Sequence, residues 1–328
     1  MLEFGNVKLN HGLFLAPMAG YTDRAMRLSA KLHGAECSVT EMVSAKAVVF
    51  GDKKTFNLAR VRADEGNVAL QIFGSEPDIL AEGARILLEK AEIMGGIRPI
   101  AIDINMGCPV NKIYSNGEGS ALMKNPEKIY KIVDTVSNSV DIPVSVKIRS
   151  GIDEEHVNAV ECALAAESGG AKLITVHGRT KKQLYGGIAD RNVIKNVKKS
   201  VQIPVIGNGD IVNSTSALDM VKETKVDGIM VGRGAVGNPF IFEEIMAALR
   251  GEAYTPPTLE EKINAALFEL KCAVEDKGET YAIPEARKKI ALYFKGFRGS
   301  AQLRAGINSA TTYAEAERII LELLREPE

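Results

Sequence analysis

The chain has 328 residues, 45% hydrophobic and 25% charged, and its 41 basic and 42 acidic side chains leave a net charge of −1. That is enough for a full core in one large domain, or a large domain with a small one, and the composition is that of a soluble globular protein. It holds no run of about 18 apolar residues that would span a membrane and no basic-then-apolar leader at its start, so the cytoplasm is the expected compartment, and near-zero net charge argues against binding nucleic acid over the whole surface.

Short apolar runs alternate with helix-patterned segments along the chain. The runs are residues 13–16, 38–41, 69–73, 101–105, 143–148, 173–177, 204–207 and 228–231. Helical patterns occupy 77–94, 126–136, 153–168 and 214–223, and open on Pro77, Pro126, Asp153 and Ser214 as helix starts do. The runs show no polar alternation, so they suit strands buried on both faces of a parallel sheet. Eight strand–helix units in roughly 240 residues predict an α/β fold, a (β/α)8 TIM barrel over residues 1–250. An open doubly wound sheet is the rival, disfavoured because no G-x-G-x-x-G turn follows the first run.

After "MAALRGEAYTPPT" the pattern changes. Gly251 with Pro256 and Pro257 reads as a linker. From Thr258 onward only helical patterns remain, at 259–276, 284–295 and 313–324, and "TLEE" at 258–261 fits a capping box. A small all-helical C-terminal domain over 258–328 is therefore expected. Between Glu285 and Gly306 it carries Arg287, Lys288, Lys289, Lys295, Arg298 and Arg304 against a single acidic residue. Such a cluster is either a solvated helix face or a phosphate-binding patch.

In a TIM barrel the chemistry lies at the C-terminal ends of the strands. Here those ends hold "APMAG" (16–20), Glu41, Gln71, Asn105 with Cys108, Lys147 with Arg149, His177 with Arg179, "NGDI" (208–211) and "VGRGA" (231–235). Singly, Gln71 can satisfy backbone groups, Lys147 can pair with a carboxylate and His177 can be a core histidine. Converging on one barrel mouth, they would leave many polar groups to satisfy without a ligand. Glycine-rich turns after the seventh and eighth strands form the common phosphate site of barrel enzymes. Ser214 is a candidate helix N-cap behind the first turn, backbone N–H groups there favour an anion, and Arg233 adds a forked donor. A phosphorylated ligand is expected. Lys147 suits negative charge on a bound ring, for which flavin is a natural candidate, although spacing does not separate flavin mononucleotide from a sugar phosphate. The four cysteines, Cys37, Cys108, Cys162 and Cys272, lie far apart with no C-x-x-C pair. Neither a disulfide framework nor a metal site is expected, which leaves Cys108 as packing filler or a reactive thiol.

Together these stretches resemble the tRNA-dihydrouridine synthases, in their bacterial B-type branch. The matching stretches are "APMAGYTD" (16–23), "TEMVSA" (40–45), "LQIFGSEP" (70–77), "IDINMGCPV" (102–110), "GEGSALM" (117–123), "PVSVKIRSG" (143–151), "ITVHGRT" (174–180), "IPVIGNGDI" (203–211) and "GIMVGRGA" (228–235), and the tail "RKKIALYFKGFRGSAQLR" (287–304) also fits. The likeness spans essentially the whole chain. It implies a barrel holding FMN, a helical domain that helps bind tRNA, and reduction of the 5,6 double bond of selected uridines with NADPH, or NADH, as reductant, by a monomer. By motif, Pro17, Met18 and Ala19 would line the flavin, Gln71 would contact its ring, Lys147 would sit at its pyrimidine edge and His177 would lie against the ring or the ribityl chain. Asn208, Gly209, Asp210, Gly232 and Arg233 would hold the ribityl-phosphate end. Asn105 and Arg179 would face the uracil and its backbone, while Arg287, Lys288, Lys295 and Arg304 would meet tRNA phosphates.

The family reaction also gives Cys108 a task. Hydride arrives at uracil carbon 6, carbon 5 then needs a proton, and a thiol of ordinary pKa is mostly protonated at neutral pH and can supply it. Gly107 and Pro109 would let its loop shift toward the ring, and the target base must leave its stack. The chain departs from its relatives in lacking Trp, notably near Arg191 and in "IALYF", in having Lys289 for His and Arg298 for Pro, and in a few extra residues at 94–99. Competing readings are a dihydroorotate dehydrogenase-like FMN barrel, against which the helical tail speaks, a tRNA-binding protein without turnover, against which Cys108, Lys147 and His177 speak, and a non-redox phosphate-binding isomerase barrel.

Overall fold

An antiparallel hairpin, β1 (Leu2–Phe4) and β2 (Val7–Leu9), opens the chain in the computed structural model, which describes residues 1–93 and 95–325. Met94, at the end of the predicted helix 77–94, and residues 326–328 of the predicted helical domain lie outside the described residues. Parallel strands follow: β3 (Leu13–Leu15), β4 (Cys37–Val39), β5 (Val43–Ser44), β6 (Val68–Phe73), β7 (Ala101–Met106), β8 (Val144–Arg149), β9 (Leu173–His177), β10 (Val205–Asn208) and β11 (Gly228–Val231). Pairing runs β4-β3-β11-β10-β9-β8-β7-β6, and β4 pairs β6, so the sheet closes into an eight-stranded barrel. The fold is the predicted (β/α)8 TIM barrel. β5 continues the line of β4 after a break and pairs with the later half of β6.

The helices between the strands are α1 (Arg24–Leu32), α2 (Ala45–Val49), α3 (Lys53–Ala59), α4 (Pro77–Lys90), α5 (Asn111–Ser115), α6 (Pro126–Ser139), α7 (Ala159–Ser168), α8 (Arg191–Ser200), α9 (Ser214–Thr224) and α10 (Ile241–Arg250). Proline at the first position of α4 and α6 is preorganised for a helix start. One cap and one start differ from expectation. Ser214 is the first helical residue of α9, and Asn213 is the cap, accepting from the Ser216 N–H; Ser214 instead gives its N–H and hydroxyl to Glu244. The expected helix at 153–168 begins at Ala159, because the Asp153 carboxylate accepts from the Glu155 and His156 amides and holds a turn there.

Outward-facing residues of the strands and the inner faces of the helices form the main core, with Ile102, Ile104, Val146, Ile148, Ile174 and Val176 among them. The expectation of strands without polar alternation fails in β7 and β8. Asp103, Asn105, Ser145 and Lys147 alternate with the apolar residues, and the parallel register sets Asp103 beside Ser145 and Asn105 beside Lys147. The hairpin's Leu2, Phe4, Val7 and Leu9 pack with Ala101, Leu173 and Ile206 in a second cluster.

No strand follows β11 among the described residues. Helices α11 (Leu259–Lys277), α12 (Glu279–Tyr293), α13 (Ser300–Ser309) and α14 (Tyr313–Leu321) pack around their own core of Ile263, Leu270, Ile290, Tyr293, Phe294 and Ile320. The capping box at Thr258 and Glu261 is formed. Pro284, read as a helix start, sits inside α12; it falls in the second turn, where it removes one backbone donor while the flanking Ile283 and Ala286 are buried against the core.

Candidate active site

A chain of hydrogen bonds runs through the barrel interior toward Cys108. The Ser145 hydroxyl donates to Asp103 Oδ1 at 2.6 Å, and Gln71 Nε2 donates to Asp103 Oδ2 at 2.6 Å. Asn105 Nδ2 donates to Gln71 Oε1 at 2.8 Å. Asn105 Oδ1 then accepts the amides of Gly107 and Cys108, at 3.2 and 2.9 Å. The i,i+2 spacing of strand residues puts these groups on the inner face, and each step fixes the amide orientation of the next. Burial pushes the Asp103 carboxyl above its ordinary pKa, against the pull of the Gln71 and Ser145 hydrogen bonds.

The Cys108 loop is hydrogen-bonded on both sides in this structure. The Cys108 carbonyl accepts from the Ser120 amide at 3.1 Å and its hydroxyl at 2.8 Å. Arg149 Nε donates to the Gly107 carbonyl at 2.8 Å, and its Nη1 donates to the carbonyls of Thr180 and Leu184 at 2.9 and 3.0 Å. A Cβ on Gly119 would stand 3.0 Å from Cys108 Cβ, with φ at +58°. Burial raises the thiol pKa, with Arg149 and Lys147 pulling the other way.

Lys147 and His177 rise from β8 and β9 beside this chain. Lys147 Nζ donates to Asn208 Oδ1 at 3.1 Å, and Asn208 Nδ2 donates to the Met230 carbonyl at 2.7 Å. Burial, then the neighbouring Arg149, brings the Lys147 ammonium down to about 8. His177 is held far below its usual pKa by burial and by Lys147, Arg149, Arg179 and Arg233. That environment favours the neutral ring over the imidazolium.

The turn after β10 is organised around Asp210. Its backbone is left-handed at φ 55°, and Gly209 beside it has φ 125°. Asp210 Oδ2 accepts from the Ala189 amide at 2.8 Å, Arg179 Nη2 lies 2.7 Å from Oδ1, and Arg233 Nη2 lies 3.7 Å from Oδ1. The Asp210 carboxylate thus orients the two arginines at this turn. Arg179 also donates to the carbonyls of Gly186 and Gly187, at 2.9 and 2.7 Å, yet its buried Nη1 has no partner. Arg233 is exposed, with Tyr185 at 4.9 Å under its guanidinium. A Cβ on Gly232 would touch only Ala16 Cβ and Met18 Sδ, both at 3.7 Å.

At the end of β3, Pro17 and Met18 are half-buried and Ala19 is exposed. Met18 is fixed by Thr22, whose hydroxyl accepts the Met18 amide at 2.7 Å and donates to its carbonyl at 3.1 Å. The structure thus brings Met18, Gln71, Asn105, Cys108, Lys147, His177, Asn208 and Gly232 to one barrel mouth. Lys147, Arg149, Arg179 and Arg233 make that mouth cationic, a field that draws in anions.

The predicted basic patch is only partly a surface. Lys288, Lys295, Arg298 and Arg304 are exposed. Arg287 is half-buried and donates to the Ala310 carbonyl at 2.9 Å, and Lys289 is 3% exposed and faces inward. Arg191, one of the departures, pairs with Glu223 at 2.7 Å. The residues that motif reading passed over are Asp103, Ser145, Ser120 and the tether of Arg149. The alternation in "AIDINM" and "VSVKIR" is the signal that could have found the first two and Arg149.

Among the described residues no cluster of three His, Cys, Asp or Glu is placed to hold a metal, and no helix is long and apolar enough to cross a membrane. The dihydrouridine synthase (Dus) family model matches residues 14–326. A "probable tRNA-dihydrouridine synthase" of Rickettsia conorii is 38% identical over 310 residues, 94% of this chain and 92% of that protein. The "tRNA-dihydrouridine synthase B" of Shewanella oneidensis is 37% identical over 320 residues, 97% of each chain. The solved histamine dehydrogenase of Rhizobium sp. 4-9 shares the fold at a TM-score of 0.56 and 12% identity, over 82% of this chain and 50% of that one.

Proposed function

This chain belongs to the dihydrouridine synthase family, and on that premise we propose that it is an FMN-dependent tRNA-dihydrouridine synthase. It reduces the 5,6 bond of a flipped-out tRNA uridine, with NADPH, or NADH, as reductant, and acts as a cytoplasmic monomer. The observation that carries this reading is a thiol held by backbone bonds in the same cationic mouth as Lys147 and His177.

The residues present fit flavin mononucleotide. The open side of Gly232 and the exposed Arg233 make a cradle with a spare donor for a phosphorylated ligand. Gly209, Asp210 and Asn208 shape that end of the cradle, with Asp210 orienting the two arginines. Pro17, Met18, Ala19 and Gln71 line the ring, and Lys147 meets its pyrimidine edge with positive charge. FMN, when bound, supplies the hydride for uracil carbon 6.

The rest falls to the chain's own groups. Cys108, kept protonated by burial, gives its proton to carbon 5, and the thiolate left behind is stabilised by Arg149 and Lys147. One Asn105 Nδ2 proton is spent on Gln71, and the second remains for a uracil carbonyl. Arg179, held by Asp210 and the Gly186 and Gly187 carbonyls, faces the uracil and its backbone, and neutral His177 packs the flavin without competing for the proton. The barrel, residues 1–250, is the catalytic domain. The helical domain, 258–328, holds tRNA phosphates through Lys288, Lys295 and Arg304, with Arg287 supporting α12 from behind.

Cys108→Ala tests the assignment. The variant should retain FMN and still oxidise NADPH, while dihydrouridine formation on unmodified tRNA drops by about 10²–10⁴-fold, the usual worth of a general acid. Product yield equal to that of the unaltered protein, read by mass spectrometry of digested tRNA, overturns it.

A further inference from the structure

Position 289 belongs to the basic run that faces outward by pattern, yet its side chain is among the most enclosed cations in the molecule. Lys289 Nζ lies 3.1 and 3.2 Å from the two oxygens of Asp23, 2.9 Å from Glu269 Oε1 and 3.5 Å from the Tyr21 carbonyl. Glu269 also accepts the Tyr293 hydroxyl at 2.6 Å. Lys277 Nζ adds a second cation to Asp23 at 2.8 Å. Buried ionic clusters are weak evidence for stability, since apolar side chains of the same volume often do as well; what such a cluster can fix is one arrangement of the parts it joins.

The parts joined here are α11, α12 and the turn between β3 and α1. Asp23 ends that turn and caps α1, accepting the Met26 amide at 3.1 Å. The turn folds back on Met18, whose carbonyl accepts the amides of Tyr21 and Thr22 at 2.9 and 3.0 Å. From outside, Lys288 Nζ sits 4.5 Å over the Tyr21 ring. Successive residues of α12 thus grip the turn on two sides. Met18 in turn stands against the open side of Gly232.

We propose that Lys289 is a positioning residue for the cofactor: through Asp23 it holds the Met18 turn in place, so that the helical region completes the wall of the flavin site. This inference rests on the flavin reading of the mouth. Lys289 acts through Asp23 and touches neither cofactor nor substrate.

Two variants and two readouts test it. Lys289→Met strands the Glu269 charge, leaves Asp23 with Lys277 alone and is expected to lower stability; a triple variant, Lys289→Met with Asp23→Asn and Glu269→Gln, removes Lys289 with both of its carboxylate partners, leaves Lys277 on Glu285 at 2.6 Å and keeps the carbonyl of the α1 cap. The first readout needs no cofactor: amide hydrogen exchange of Tyr21 and Thr22, relative to amides of β8. It should accelerate about tenfold or more in whichever variant folds, a tenfold change corresponding to about 1.4 kcal/mol. The second is FMN affinity by fluorescence quenching, which should weaken by a similar factor in the triple variant even where its melting temperature recovers. Exchange at Tyr21 and Thr22 unchanged relative to β8, or FMN affinity that recovers together with stability, overturns the positioning role. A native protein that takes up no FMN while its variants show the faster exchange overturns the flavin reading and leaves the turn assignment standing.

Discussion

Lys147 shows how a residue's surroundings set its working range. Burial and the neighbouring Arg149 bring its ammonium down to about 8, so the charge offered to an anionic ring is present below that pH and lost as pH rises through it. FMN affinity of the native protein should therefore fall as pH climbs past about 8, and Lys147→Met should be weak at every pH with that step gone. Quenching titrations between roughly pH 6.5 and 10 measure both; an equal step in the methionine variant would remove Lys147 from the cofactor contact. Bound FMN itself would shift the step upward, because a nearby negative charge favours the ammonium. Cys108 has the opposite need. Its burial keeps the proton on at neutral pH, which suits an acid and would hinder a nucleophile. That Cys108 stands near a strand end was legible from "AIDINMGCPV". Its restraint was not, because the bonds to its carbonyl come from Ser120, and the grip on Gly107 comes from Arg149. Such partners, 12 and 42 residues away, leave no trace in local pattern.

At the scale of the element, the turn after β10 is where backbone shape and function meet. Gly209 has φ 125°, and a Cβ there would stand 2.6 Å from Ala189 Cβ and 3.1 Å from His177 Cδ2. Gly209→Ala is expected to cost about 1–3 kcal/mol for the disfavoured backbone alone, read by urea denaturation, with FMN affinity reduced as His177 is displaced. A variant as stable as the native protein would show that the turn relaxes freely. The strands were legible as apolar runs because the helices cover their outer faces, a requirement any barrel imposes. On the inner face of β7 and β8, Asn105 and Lys147 were legible as polar strand ends, whereas Asp103 and Ser145, deeper in the barrel, lie in strands buried on both faces and were passed over as part of apolar runs. The late start of α7 and the cap of α9 have a common cause: an Asp or Asn side chain took the backbone amides. The inward turn of Lys289 depends on α11 and α1 meeting α12, a contact between elements far apart in the chain.

For the molecule as a whole, near-zero net charge coexists with a divided surface. The acidic residues are spread over the outer helices in pairs such as Arg85 with Glu89 and Lys198 with Asp227. The mouth is cationic, and on the helical region Lys288, Lys295, Arg298 and Arg304 are exposed without an acidic partner in any salt bridge among the described residues. Lys288 stands over Tyr21, in the turn that follows β3 at the mouth, so a strand laid across α12 with its base in the barrel would pass this lysine. Counterion release makes such binding steeply salt-dependent, with a slope of log affinity against log salt of about 0.7–0.9 for each phosphate neutralised. Lys288→Glu with Arg304→Glu should weaken binding of unmodified tRNA most at low salt and flatten that slope by about this amount for each phosphate left without its cation. FMN content would be monitored in the same samples, because Lys288 also covers the Met18 turn. A double variant with the native slope, measured by filter binding between roughly 50 and 200 mM salt, would remove this face from the tRNA surface. A reduced affinity with an unchanged slope would point to weakened packing on Tyr21 instead, since apolar packing releases no counterions.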